Sequence, residues 1–331
     1  MQKPELTNIE LKYSGKYRYS AIQYGYNQDT SSRNRMSDSD RWFYVYPEKL
    51  SKIESTLKEE CIKTAKLIRD QTDLPIYVLM SGGYDSTIVA ESFRLAKIPF
   101  TGVICRLTDG VNEFDICKAI IYCEQHGIKH HIIELDVFKF WENNLFEYST
   151  PVQARSPQIS VQNWLVDQVD GFTVRGEGTI AMISEPPNIF VFEKEQFHCG
   201  EKWLIYRDRP GVSEFFKYTK ELYVKSLTND SVFEWMKQAK NEPLNVNDHK
   251  HDIFREGFPD IKPRPFIYYQ RFTKTPKVIS RCDYTGFELI APIDREYRKE
   301  LCALFPESYD QVYLIPYDKY INEMADRSEN A

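Results

Sequence analysis

Apolar and polar positions fall into helix and strand rhythms over the first half of the chain. From Pro47 to Asp70, Leu50, Ile53, Leu57, Cys61, Ala65 and Ile68 recur at spacings of three and four, which predicts an amphipathic helix. Leu74-Pro75-Ile76-Tyr77-Val78-Leu79-Met80 follows, a nearly all-apolar run that suits a short strand buried on both faces. It leads directly into Ser81-Gly82-Gly83, and helical spacing resumes from Ser86 to Ala96. Phe100 to Cys105 reads as a strand, Asn112 to Gln125 as a helix stopped by Gly127, and His130 to Leu135 as another strand. Ser156-Pro157 carries an N-cap and first-turn signature for a helix running to about Val169. Phe172-Thr173-Val174-Arg175 is a short strand ending in Gly176-Glu177-Gly178.

Strands that alternate with helices imply an α/β fold, a parallel sheet flanked by helices on both faces. Past residue 185 the rhythm changes. Ser213–Lys225 and Ser231–Ala239 read as helices, and Asn241–Pro265, rich in Asn, Asp, His and Pro, reads as loop. Residues 1–48 form a small polar, Tyr-rich extension, with a loop-like stretch from Asn27 to Arg41, expected to pack on the main domain. The expected division is therefore an N-terminal extension at 1–48, the main domain at 49–310 with a helical C-terminal part, and a tail at 311–331.

Composition narrows the function classes. The 331 residues, 42% hydrophobic and 28% charged, can bury a sizeable core. A formal net charge of −6 argues against a general polyanion binder. No apolar run approaches the roughly 18–20 residues that cross a bilayer, and the N-terminus lacks a signal-peptide core, so the expected location is the cytoplasm and no membrane partner is expected. The seven cysteines are scattered, with no CxxC pair and no zinc spacing, which reads as reduced thiols.

The chemistry concentrates at Ser81-Gly82-Gly83-Tyr84-Asp85-Ser86. A buried strand, a Gly-Gly turn and a helix start make an anion site, because turn N–H groups and the positive end of the helix dipole converge there. Gly82 and Gly83 permit the turn and close approach of a phosphate, Ser81 and Ser86 add hydroxyls, and Asp85 is a carboxylate suited to a divalent cation such as Mg²⁺. The run is neither a Walker A loop, which ends in Gly-Lys-Ser/Thr, nor a Gly-x-Gly-x-x-Gly dinucleotide turn.

The hexapeptide resembles the PP-loop, SGGxDS, of the ATP pyrophosphatase superfamily, whose fold is adenine nucleotide alpha hydrolase-like. That resemblance implies ATP as co-substrate, its pyrophosphate gripped by the loop and its α-phosphate attacked. It places adenine against backbone at the ends of the first two strands, here Leu79, Met80, Val103, Ile104 and Cys105, with Arg106 in reach of phosphate. Three further stretches resemble the synthetase domain of asparagine synthetases, over roughly residues 47–310 and in the same order. Phe172–Thr179 is similar to that family's strand and GEGSDE motif, Phe287–Asp294 with the helix-like Glu296–Leu304 and Pro306 to its LExRxPFLD segment, and His130–Leu135 to its HHE element. The Ser156-Pro157 helix falls where the family has a substrate-side segment, and Gln158 on it is a candidate pocket residue.

The resemblance implies that Glu177 is a base near the attacking amine, which must lose a proton before it attacks an acyl-adenylate. Two positions depart from the pattern. Ile180 stands where the family has a Mg²⁺-assisting aspartate, which leaves Asp85 as the candidate metal residue. Ser280 stands where it has the cation that neutralises pyrophosphate, with Lys277 and Arg281 close by as replacements, in a basic stretch that also includes Lys262, Arg264, Arg271 and Lys274. The family's glutaminase half, with its cysteine after the initiator Met, is not expected here, since residue 2 is Gln. Free ammonia, an amine, or ammonia from a partner is the expected nitrogen source.

The expected activity is adenylation of a small-molecule carboxylate with pyrophosphate release, then transfer to ammonia or an amine with release of AMP. Two alternatives stay open. The basic stretch also suits nucleic acid, which makes a nucleic-acid base the alternative adenylated group. The losses at Ile180 and Ser280 would also suit a non-catalytic nucleotide-binding module. The oligomeric state is not legible.

Overall fold

The computed structural model describes residues 22–26, 41–45, 54–176, 182–185, 188–193, 195–227, 232, 254–255, 257–261, 291–305 and 311–313. At its centre is a five-stranded, all-parallel sheet. Its strands are β3 (Ile76–Leu79), β4 (Thr101–Leu107), β5 (His130–Leu135), β6 (Phe172–Val174) and β9 (Gly211–Val212), in the order β5-β4-β3-β6-β9. The first strand of the sheet is thus its centre. The chain moves outward on one side through β4 and β5, then crosses over and moves outward on the other through β6 and β9.

Helices cover both faces, as the alternation predicts. Side chains alternate along the strands: Ile76, Val78 and Met80 enter one core and Tyr77 and Leu79 face the other, as do Ile104 and Val103 respectively. The first core is closed by α1 (Leu57–Asp70), α2 (Tyr84–Leu95), α3 (Glu113–Gln125) and α7 (Lys220–Leu227). The second is closed by α4 (Val137–Ser149), α5 (Pro157–Asp167), α6 (Glu195–Tyr206) and α8 (Ala291–Leu304). β5 is an edge strand, and His131, Ile132 and Glu134 on it are exposed.

Local chemistry sets the boundaries. α1 starts at Leu57, where Thr56 and Glu59 form a capping box. The Glu59 N–H donates to Thr56 Oγ1 at 3.2 Å and the Thr56 N–H donates to Glu59 Oε2 at 2.7 Å. Residues 47–53 of that predicted helix lie outside the described residues. α3 ends at His126, followed by Gly127 at φ 63°. α5 begins at Pro157, but Ser156 makes no side-chain cap. Its hydroxyl instead accepts a hydrogen bond from Arg298 Nη2 at 3.0 Å.

Several elements differ from the sequence reading. α4, α6 and the two-residue strand β9 have no counterpart in that reading, and the predicted Ser213–Lys225 helix is a short 3-10 turn at Phe215–Lys217 followed by α7. Two small antiparallel sheets complete the described chain. β1 (Ile22–Tyr26) pairs with β2 (Arg41–Val45) inside the N-terminal extension. β7 (Met182–Glu185), β8 (Asn188–Glu193) and β10 (Gln311–Tyr313) form the other, so the start of the C-terminal segment is tied to the β7–β8 hairpin. Of the predicted Ser231–Ala239 helix only Val232 lies within the described residues, and it is helical.

Candidate functional site

In a parallel sheet all strand ends face one way, and ligands collect outside the carboxyl ends where the strand order reverses. That point is the end of β3, where the Ser81–Ser86 run sits. Gly82 has φ +79°, and a Cβ added there would lie 2.0 Å from the Asp115 carbonyl oxygen on α3. Any other residue would be driven into the backbone of the neighbouring helix. Gly83 is the N-cap of α2, extended at φ −78° and ψ 167°, and gives no side-chain cap. The first turn of α2 therefore turns the positive end of its helix dipole toward the loop with no side-chain cap from Gly83.

The two serines brace this loop. The Ser81 N–H donates to Ser86 Oγ at 3.3 Å, and the Gly83 N–H donates to Ser81 Oγ at 3.3 Å. Ser86 Oγ donates to the Gly83 carbonyl at 3.2 Å, and Thr87 Oγ1 donates to it at 2.8 Å. Three of these bonds lie at the long end of the range and are correspondingly easy to exchange for a stronger acceptor. The Asp85 carboxylate is partly buried in the first turn of α2. An acid there favours the helix dipole in its own right. It also fits Mg²⁺ carried in by a nucleotide, since that ion needs one or two protein carboxylates beside the phosphates.

Gly176 closes the site from the other side. A Cβ on it would lie 2.8 Å from the Ser86 nitrogen and 3.0 Å from the Asp85 carbonyl carbon. The turn after β6 therefore rests directly on the first turn of α2. Leu79 and Met80 are buried at the end of β3 and point to opposite faces, Met80 with its sulfur 3.6 Å from Cys123 Sγ. Val103 and Ile104 are buried beside them on β4, and Cys105 is half-buried.

Arg106 stands at the same edge with its charge engaged. Its Nε is 3.0 Å from Glu113 Oε2 and its Nη1 is 3.3 Å from Glu134 Oε1. The hydrogen bonds it donates to both carboxylates hold its pKa above the ordinary arginine value. To meet a phosphate, the guanidinium has to exchange these partners. Glu177, Ile180, Lys277, Ser280 and Arg281 lie outside the described residues, as do Lys262, Arg264, Arg271 and Lys274.

The structure joins two stretches that the sequence reading treated separately. α8 packs on α5 through Arg298 and Ser156, and Tyr297 of α8 meets Trp141 of α4 at 5.6 Å between ring centroids. Asp294 is buried on α8, and burial raises its pKa against the lowering pull of Arg298. Three buried charges at the end of β6 carried no legible sequence signal. Arg175 donates to Gln162 Oε1 at 2.6 Å, and Glu214 and Lys217 form an ion pair at 3.5 Å. Among the described residues no cluster of three or more His, Cys, Asp or Glu side chains is arranged for a metal, and no helix is long and apolar enough to cross a membrane. Cys61, Cys105, Cys117, Cys123, Cys199 and Cys302 are not in disulfides.

No family profile matches the chain, and no curated protein sequence matches it. Among solved structures, it is similar to an NH3-dependent NAD synthetase from Campylobacter jejuni, determined in complex with a nitrate ion. The identity is 14%, over 62% of this chain and 97% of that one, with a TM-score of 0.29. A likeness this distant assigns neither activity nor site, so the functional reading rests on this chain's own residues.

Proposed function

We propose that this protein is an ATP-dependent, AMP-forming amide ligase of the PP-loop ATP pyrophosphatase type. The observation that carries the reading is the Ser81–Ser86 loop. It is a helix start with glycine and no side-chain cap at the N-cap, at the strand-order reversal, held between the backbone of α3 at Gly82 and the chain after β6 at Gly176. Such a site offers fixed N–H donors to an anion without a lysine.

In this reading Ser81, Gly82, Gly83 and Ser86 hold the β- and γ-phosphates of ATP. Asp85 holds the Mg²⁺ that accompanies them and supplies charge neutralisation. Adenine lies against the backbone at Leu79, Met80 and Ile104, and Gly176 keeps the loop in place. Arg106 exchanges Glu113 and Glu134 for phosphate. A substrate carboxylate attacks the α-phosphorus, the bond to the bridging oxygen breaks, and pyrophosphate leaves, with Lys277 and Arg281 balancing its charge. Glu177 then takes a proton from the amine as it displaces AMP. The nitrogen comes from ammonia, an amine, or a partner that supplies ammonia.

The test is label transfer. A candidate carboxylate enriched in heavy oxygen is incubated with ATP, Mg²⁺, an ammonium salt and the protein, and the AMP is examined by mass spectrometry. Labelled AMP supports attack on the α-phosphorus by the carboxylate. Unlabelled AMP, or ADP as the product, contradicts it.

A further inference from the structure

The end of β6 is held by charges that no part of the proposed chemistry uses. Beyond Val174 the chain stays paired with the segment after β9. The Arg175 N–H donates to the Val212 carbonyl at 2.9 Å, and the Phe215 N–H donates to the Arg175 carbonyl at 3.2 Å. Gly176 then forms an isolated antiparallel bridge with Glu214. Gly176 is thereby clamped between the backbone of Glu214 and the Asp85–Ser86 peptide of α2.

Glu214 is itself fixed from two directions. The Lys217 N–H donates to its carbonyl at 3.1 Å, and Lys217 Nζ lies 3.5 Å from its Oε2. Both side chains are nine-tenths or more buried, and the ammonium lies 5.9 Å from the centre of the Tyr223 ring. An ion pair withdrawn from water gains little net stability, and an apolar pair of similar volume would fill the core as well or better. What a buried pair adds is direction, because both side chains are confined to one geometry.

We propose that Glu214 and Lys217 are positioning residues for the phosphate loop. Their ion pair sets where the Glu214 backbone meets Gly176, and Gly176 sets where the N–H groups of Asp85 and Ser86 point. The proposal rests on the reading of Ser81–Ser86 as a pyrophosphate-binding loop. Neither residue touches the nucleotide.

The test separates stability from affinity in the full-length chain. Inorganic pyrophosphate with Mg²⁺ is titrated into the wild type, Glu214→Gln, Lys217→Met and the double variant Glu214→Leu/Lys217→Met, with urea denaturation of each. Arg94→Met is the control, since it breaks an ion pair with Glu91 on the outer part of α2. Both single variants lose stability and bind pyrophosphate at least tenfold more weakly. The double variant regains stability but not affinity, and the control keeps the wild-type affinity. An affinity that returns with stability in the double variant overturns the proposal, as do single variants that bind like the wild type. If the single variants do not fold, wild-type affinity in the double variant overturns it. A wild type that binds no pyrophosphate overturns the proposed function itself, a separate outcome read before any variant.

Discussion

Replacing Gly176 with alanine tests the contact between the β6 turn and the phosphate loop with a single methyl group. The new Cβ would sit 2.8 Å from the Ser86 nitrogen, 2.9 Å from Ser86 Cα and 3.0 Å from the Asp85 carbonyl carbon. All three are backbone atoms of the first turn of α2, so no flexible side chain can move aside. Ordinary contact begins at 3.4 Å, so β6 and α2 must separate by roughly half an ångström. Overpacking of this kind costs about 1–3 kcal/mol, read as a lower urea midpoint with an unchanged slope. The displaced peptide carries N–H groups assigned to phosphate, so Mg²⁺-ATP binding, followed by calorimetry, weakens at least about tenfold, or about 1.4 kcal/mol. Gly127→Ala is the matched control. Gly127 has φ +63° and no atom within 4 Å of an added Cβ, so alanine there incurs only backbone strain of about 1–2 kcal/mol. Its stability falls and its ATP affinity does not. If Gly176→Ala also loses stability while keeping wild-type affinity, the contact is merely structural and the reasoning fails.

Other predictions concern regions away from the loop. Thr56→Ala removes the capping box of α1 and lowers stability by about 1 kcal/mol in urea denaturation, with nucleotide binding unchanged. Burial raises the pKa of Glu91, but hydrogen bonds from Arg94 and Tyr122 outweigh it and hold the carboxyl below its ordinary 4.5. A depressed native pKa contributes stability that is complete above about pH 5 and is lost as pH falls through the native value. The stability gap between wild type and Glu91→Gln therefore narrows as urea midpoints are measured from about pH 6 downward, and a gap that widens in acid contradicts the assignment.

The parts of this fold that could be read in sequence are those where one local signal dominates. β3 and the loop after it were legible because a strand buried on both faces must be almost wholly apolar and the turn needed glycine. α4 was missed although Val137, Phe140, Trp141, Leu145 and Tyr148 all face the core, because Asn143, Asn144 and the flanking charged residues obscured the spacing. β9 has only two residues and is defined by its pairing with β6, which no local pattern encodes. The reading of Gly82 was incomplete in the same way. Its positive φ is a local property of the turn, but its contact with Asp115 arises only once α3 packs against the loop. Arg106 was legible as a cation at a strand end, whereas its partners Glu113 and Glu134 lie on α3 and β5. Ser156 illustrates the limit of a correct signal: the helix starts where its sequence implies, yet its hydroxyl serves α8.

The most direct measurement of the central claim is pyrophosphate release from ATP and Mg²⁺, comparing wild type with Asp85→Ala across a panel of carboxylates, each with ammonia or an amine, and short nucleic acids. The account predicts release by the wild type that depends on an added carboxylate, and its loss in the variant. Release that depends on nucleic acid alone, or that persists in Asp85→Ala, would contradict it.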